Sequence, residues 1–347
     1  MTTYIIFFLS FVIASFLFQR RSLIVKFFWF VSWLFTLFFI GFRHEVGTDW
    51  PNYMVIWNSQ DGLFINALLH TEPLYYILMY LVKGMNLSIH WLNLFTTFVA
   101  ITPVFYFSYQ QKNKWVALMS LVAVLFIISY IGYARQAPAL GLSFWATFRF
   151  LDKKFISSFL LLISASLFHN SAIVLIIVFS GFILFQAKSR YKFFVFALLL
   201  VILTTYMDQL SGRIINYLNI NLLSVGALPR IILVDIALIT AIIFRKAILI
   251  SPFQRNFILY FCLCGLMISL SVFIDSIVAD RLILYWLVIQ IIVYGNISLI
   301  TINNNNRVFF LIFISFLNLF VLTVWLGLGT FSPDWIPYKN FLFAQSL

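Results

Sequence analysis

Residues 27–42 read FFWFVSWLFTLFFIGF, and the next eleven read Arg43-His44-Glu45-Val46-Gly47-Thr48-Asp49-Trp50-Pro51-Asn52-Tyr53. The first run has no charge and no period-2 alternation. It is apolar on every side, as a helix in hydrocarbon must be, and close to the length a membrane crossing needs. The second run packs an Arg, a His, a Glu and an Asp into seven residues. The chain as a whole is only 9% charged and 63% hydrophobic. Charge so concentrated at the edge of an apolar run lies where a membrane helix meets water, and it points to chemistry on an anionic substrate.

Similar runs recur from Tyr4 to Gly327. With 43 Phe and 20% aromatic residues, a soluble domain has nowhere to hide this much apolar surface. A transmembrane β-barrel would alternate apolar and polar residues in strands of about ten. The expected class is therefore an all-α polytopic integral membrane protein forming one transmembrane domain over residues 1–347. The spans fall near 3–19, 27–42, 91–109, 115–131, 136–151, 155–170, 171–187, 193–207, 229–244, 256–275, 282–300 and 308–327, about 12 crossings in all. One further apolar helix, starting at Glu72-Pro73, would invert every later loop if it crossed. It reads as a re-entrant or interfacial helix on the outer side. Asn58, Gln60, Asp61 and Asn66 argue against a crossing at 53–69.

Met1-Thr2-Thr3-Tyr4 lacks the basic segment of a cleavable signal peptide. Arg20 and Arg21 follow the first run, so the N-terminus is expected outside. In that frame most of the 22 basic residues fall on inner loops, among them Lys112, Lys114, Lys153, Lys154, Arg245 and Arg307. The net charge of +12 is then an orientation signal rather than a nucleic-acid surface. The larger outer segments lie near 43–90, 208–228 and 328–347. Cys262 and Cys264, two apart on one helix, point in different directions and read as free thiols.

The outer basic residues are Arg43, Lys83, Arg135, Arg213, Arg230, Arg281 and Lys339. Several sit at helix starts: Arg135-Gln136, Pro229-Arg230, and Asp280-Arg281 with Asp280 as N-cap. His169-Asn170-Ser171 forms a tight turn between two spans. Thr71-Glu72-Pro73 has a cap-then-proline pattern. Helix N-termini and arginine forks both suit phosphate, so these residues describe a pocket for a phosphate or pyrophosphate that needs neither metal nor cofactor. Each member also has a plainer reading. A lone Arg at a helix end snorkels to headgroups, a lone His is usually structural, and Asp235 is placed to pair with Arg230. The gathering of these groups on one face favours a site.

Arg43, Val46-Gly47-Thr48-Asp49 and Tyr53 resemble the R-x-x-V-G-T-D-x-x-x-Y signature of the EpsG-like and Wzy-type polysaccharide polymerases. Glu72-Pro73 with Tyr75, Arg135-Gln136, and Phe168-His169-Asn170-Ser171 follow in that family's order. Trp335-Ile336-Pro337-Tyr338-Lys339-Asn340 is similar to the tail of enterobacterial O-antigen polymerases. The resemblance implies a bacterial inner-membrane glycosyltransferase working on the periplasmic face. It would move a growing glycan from undecaprenyl pyrophosphate to the non-reducing end of a lipid-linked repeat unit, with a chain-length regulator as partner. His169, Asp49 and Glu72 are then candidates for the general base, with His169 preferred because its unperturbed pKa is near neutrality. Arg135 and Arg281 would bind pyrophosphate, with Arg43 and Arg230 as further anion contacts, and Tyr53, Tyr75 and Tyr338 would contact sugar. The rival readings are a flippase of lipid-linked oligosaccharide, an O-antigen ligase and a membrane acyltransferase.

Overall fold

The computed structural model describes residues 1–18, 22–59, 63–185, 226–249, 251–301, 304–329 and 331–343. The described residues are helical, with one isolated β-bridge between Arg43 and Asn340. Helix α1 (Thr2–Leu17) and α2 (Leu23–Gly41) open the chain. Ser22 caps α2 by accepting the Val25 N–H. Three short helices follow: α3 (Trp50–Ser59), α4 (Phe64–Leu68) and α5 (Pro73–Gly84). Then come α6 (Ile89–Gln110), α7 (Lys114–Leu121, continuing as a π-helix over Val122–Tyr130), α8 (Gln136–Leu151), α9 (Phe155–Phe168) and α10 (Ile173–Phe185). The last five are α11 (Ala227–Ile248), α12 (Pro252–Leu270), α13 (Ser276–Ile283), α14 (Val288–Tyr294) and α15 (Asn304–Leu328).

The bundle is built around α7 and its π-helical continuation, buried on every side from Trp115 to Ile131. A helix apolar all round belongs in the middle of a bundle. The wider turn is satisfied locally: Ser129 Oγ donates to the Val124 carbonyl at 2.7 Å. Aromatic side chains fill the layers around it, as where Phe105 stacks on Phe126 at 6.0 Å between centroids. Helices α6 and α8 meet at Gly141, where a Cβ would lie 2.6 Å from the Ala100 carbonyl, so only glycine permits this approach.

The expected twelve spans are not supported. Six described segments are long and apolar enough to cross a membrane: Leu23–Gly41, Ile89–Gln110, Ala227–Ile248, Pro252–Phe273, Ser276–Tyr294 and Asn305–Leu328. Within the other runs the described residues form helices over Thr2–Leu17, Lys114–Tyr130, Gln136–Leu151, Phe155–Phe168 and Asn170–Phe185, each with fewer described residues than the roughly 20 that hydrocarbon demands. The run at 193–207, with Asp208 and Arg213 after it, lies outside the described residues, as do Arg20, Arg21 and Asp61. Among the described residues of 53–69, α3 runs to Ser59 and α4 has five residues, and neither is long enough to cross. Helix α5, with twelve residues, is too short to cross alone.

Two local expectations change. Asp280 is not an N-cap. The helix starts earlier, at Ser276, where Asp275 accepts the Ile277 and Val278 N–H groups, and Asp280 sits within it. Asp235 does not pair with Arg230. It accepts a 2.6 Å hydrogen bond from Ser269 Oγ on α12, while Arg230 pairs with Asp280. In both cases the partner comes from another helix, which spacing along one helix cannot reveal.

The chain after α15 folds back over the start of the molecule. Tyr4 Oη donates to the Trp335 carbonyl at 2.8 Å, and Phe341 N–H to the Phe42 carbonyl at 2.7 Å. His44 N–H reaches Lys339 O at 3.1 Å, and Gly47 N–H reaches Asp334 O at 2.9 Å. The loop between α2 and α3 is thereby fastened along its length by the C-terminal segment.

Candidate active site

Glu72 is the N-cap residue of α5, with Pro73 setting the first helical position. Its carboxylate gathers three other helix ends. Oε1 lies 2.5 Å from His169 Nδ1 and 3.5 Å from the Asn170 N–H, and Oε2 accepts Arg135 Nη1 at 2.8 Å. Arg135 is the N-cap residue of α8, and His169 is the C-cap residue of α9. Burial of Glu72 (4% exposed) pushes its pKa up. The His169 hydrogen bond and charge, the Arg135 charge and the Asn170 N–H outweigh it, and the carboxyl is held down to about 2. An ionised Glu72 can only accept, so His169 Nδ1 is the donor. The other ring nitrogen, Nε2, has no partner among the described residues.

Asp49 lies on the fastened loop. Gly47 adopts φ +103°, a backbone conformation that side chains resist, and its Cβ position would face the Ile131 carbonyl at 3.1 Å. That turn lets the Trp50 N–H bond Gly47 O at 2.9 Å, and Tyr53 N–H bond Asp49 O at 2.9 Å, starting α3. The Asp49 side chain makes no hydrogen bond or ion pair among the described residues. Burial pushes its pKa up, against the opposing fields of Arg281, Arg135, His169 and Arg43. Two carboxylates thus share one neighbourhood with pKa values driven apart, an arrangement typical of sites that divide acid and base work.

The four arginines expected to bind an anion separate into three kinds. Arg135 and Arg281 are half-buried. Arg135 holds Glu72 and lies 5.8 Å over the Tyr53 ring. Arg281 lies 5.8 Å over the Tyr133 ring and its guanidinium has no hydrogen bond or ion pair among the described residues. Gln136 Nε2 donates to the Arg281 carbonyl at 2.9 Å, tying α8 to α13. Arg43 is 1% exposed, donates to Ile40 O at 3.1 Å, and has no carboxylate partner among the described residues. Burial draws its pKa down, and the nearby Tyr53, Tyr75, Tyr338 and Tyr4 act the other way. Arg230 is committed to Asp280 through Nε–Oδ1 at 2.8 Å and Nη2–Oδ2.

The three tyrosines sit in the scaffold. Tyr53 and Tyr75 are buried with rings 6.3 Å apart, and Tyr338 stacks on Phe39 at 4.4 Å with its hydroxyl on Phe39 O. Sequence reading missed the groups that hold the site together. Tyr133 lies among Asp280, Arg230, Arg281 and Asp49, and Tyr285 Oη meets Ser171 Oγ at 2.8 Å. Their neighbours Arg135 and Ser171 carried a signal, but a tyrosine in an aromatic-rich chain carries none. His90 was also missed, and its Nε2 lies 3.0 Å from His44 Nδ1. Among the described residues no group of three His, Cys, Asp or Glu is placed to hold a metal ion.

The family model for the EpsG family matches residues 26–340. Searches of curated proteins and of solved structures returned no match. The match spans nearly the whole chain, and the chain belongs to the EpsG family, whose members are Wzy-type polymerase-like membrane proteins.

Proposed function

From membership of the EpsG family, we propose that this protein is an O-antigen or surface polysaccharide polymerase. It transfers a growing glycan from undecaprenyl pyrophosphate to the non-reducing end of a lipid-linked repeat unit, at the periplasmic face of a bacterial inner membrane. The observation that carries the proposal is the Glu72–His169–Arg135 constellation beside the unpaired Asp49 and Arg281. It joins a base, an acid that orients it and arginine forks for a diphosphate.

In this reading the acceptor hydroxyl attacks the anomeric carbon of the donor. The new C–O bond forms as the C–O bond to diphosphate breaks, and that electron pair leaves with undecaprenyl diphosphate. His169 Nε2 takes the hydroxyl proton, and Glu72 stabilises the resulting imidazolium. Glu72 is a positioning group rather than the base, because both its oxygens are engaged and its pKa is held low. Asp49 accepts from acceptor hydroxyls. Arg281 and Arg135 take the charge that develops on the leaving diphosphate. Arg230 pins Asp280, the residue before Arg281. Arg43 acts from beneath the site as a fixed buried charge.

Deleting the gene and separating surface polysaccharide on a gel tests the reading. The expected mutant carries a single repeat unit in place of the ladder. Loss of even that unit would favour a flippase or ligase, and an unchanged ladder would refute the polymerase reading. Complementation with His169→Ala, at matched protein level, is expected to leave the single unit.

A further inference from the structure

Three polar side chains lie behind the site, each a short step along the chain from one of its members. Ser171 follows His169 by two residues, in the 3-10 turn Asn170–Ala172, which the Ala172 N–H closes on the His169 carbonyl at 3.1 Å. Gln136 is the residue after Arg135 and the first of α8. Tyr285 follows Arg281 by four residues, in the 3-10 segment Leu284–Leu287 that continues α13. The three converge. Tyr285 Oη lies 2.8 Å from Ser171 Oγ, the Gln136 amide comes up on the same hydroxyl, and Gln136 Nε2 donates to the Arg281 carbonyl at 2.9 Å.

Tyr285 is 0% exposed and Gln136 2%, so both act from beneath the site rather than on a substrate. A phenylalanine fills nearly the same space as a tyrosine, and the chain holds 43 of them. A hydroxyl buried among apolar helices costs free energy unless it is hydrogen-bonded. Packing alone therefore gives no reason for one at position 285. What the hydroxyl supplies is a link. It joins the turn that carries His169 to the helix starting after Arg135, and through Gln136 to the backbone of Arg281. A buried polar network whose members are paired holds rigid what it joins.

We propose that Tyr285 is a positioning residue, which through Ser171 and Gln136 fixes the separation of His169 and Arg281 so that both address one bound substrate. The inference rests on the polymerase reading above and adds to it the group that sets base and leaving-group cation in register. Register matters because a misplacement of about 1 Å costs on the order of 10²-fold in rate.

Purified parent and variants in liposomes, supplied with lipid-linked repeat units extracted from the strain lacking the gene, test it. Tyr285→Phe is expected to lower kcat about 10–100-fold while KM for the lipid-linked unit stays within about twofold of the parent. Ser171→Ala should do the same, and Ser171→Thr, which keeps a hydroxyl, should recover most of that loss. The double variant Ser171→Ala with Tyr285→Phe should be no slower than the slower single, since both remove one contact. Ser171→Ala carries the test if Tyr285→Phe does not fold. Parental kcat in either single variant, or losses that multiply in the double, would overturn the proposal and leave the polymerase reading standing. A parent that joins no repeat units would overturn the polymerase reading itself, and the role of Tyr285 with it.

Discussion

Glu72 and Asp49 show how environment sets the work of one functional group. Glu72 ionises at about 2 in the fold, against roughly 4.3 in an open chain. Its folded pKa is depressed, so its pairs add stability above the open-chain value, and that stability is lost as pH falls through the folded value. Glu72→Gln should therefore lower Tm across neutral pH, with the gap to the parent closing on acidification from roughly pH 4 toward 2. Activity should fall on the order of 10²–10⁴, the range for disabled acid–base catalysis. A Tm gap that persists at low pH would refute the ion-pair account. Asp49 has the opposite sign. Its folded pKa is raised, so ionisation at neutral pH works against the fold. Asp49→Asn is expected to leave Tm unchanged or higher while polymer synthesis collapses. Both acids were legible as candidates because acids are scarce in this chain. Their division of labour was not, because it rests on which cations the fold brings near each.

At the scale of helices, the Arg230–Asp280 bridge locks α11 to α13 one residue before Arg281. Both side chains are buried, and stripping one partner leaves an uncompensated charge that costs about 3–5 kcal/mol. Arg230→Met alone should thus sharply lower Tm in detergent, and Arg230→Met with Asp280→Leu should recover most of it. If the double variant is stable but makes no polymer, the bridge serves Arg281 rather than the fold. If it is stable and fully active, the placement of Arg281 does not depend on the bridge. The helix starts at Glu72 and Arg135 and the turn at His169 were readable, since Pro73, Pro138 and the polar turn residues mark local geometry. The start of α13 was misplaced because two acids, Asp275 and Asp280, offer the same capping chemistry, and only hydrogen bonds to Ile277 and Val278 tell them apart.

Across the whole molecule, the C-terminal segment and the loop carrying Asp49 share one end with Glu72, while Lys112 starts the long helix that leads to it. Single cysteines placed at Lys339 and at Lys112, after replacing Cys262 and Cys264, test the orientation. A membrane-impermeant maleimide should label position 339 in cells with a permeabilised outer membrane, and position 112 only after lysis. The reverse pattern would place the site on the cytoplasmic side. Fold class followed from sequence alone, because hydrocarbon forces each uncharged run to satisfy its own backbone, and composition registers that demand residue by residue. The family signature was readable too, because its residues are close in sequence. The pairing of Arg230 with Asp280, the burial of Arg43 and the meeting of Glu72 with His169 were decided only in three dimensions. Each depends on contacts between residues tens to hundreds of positions apart, and helix packing, not local propensity, chooses those neighbours.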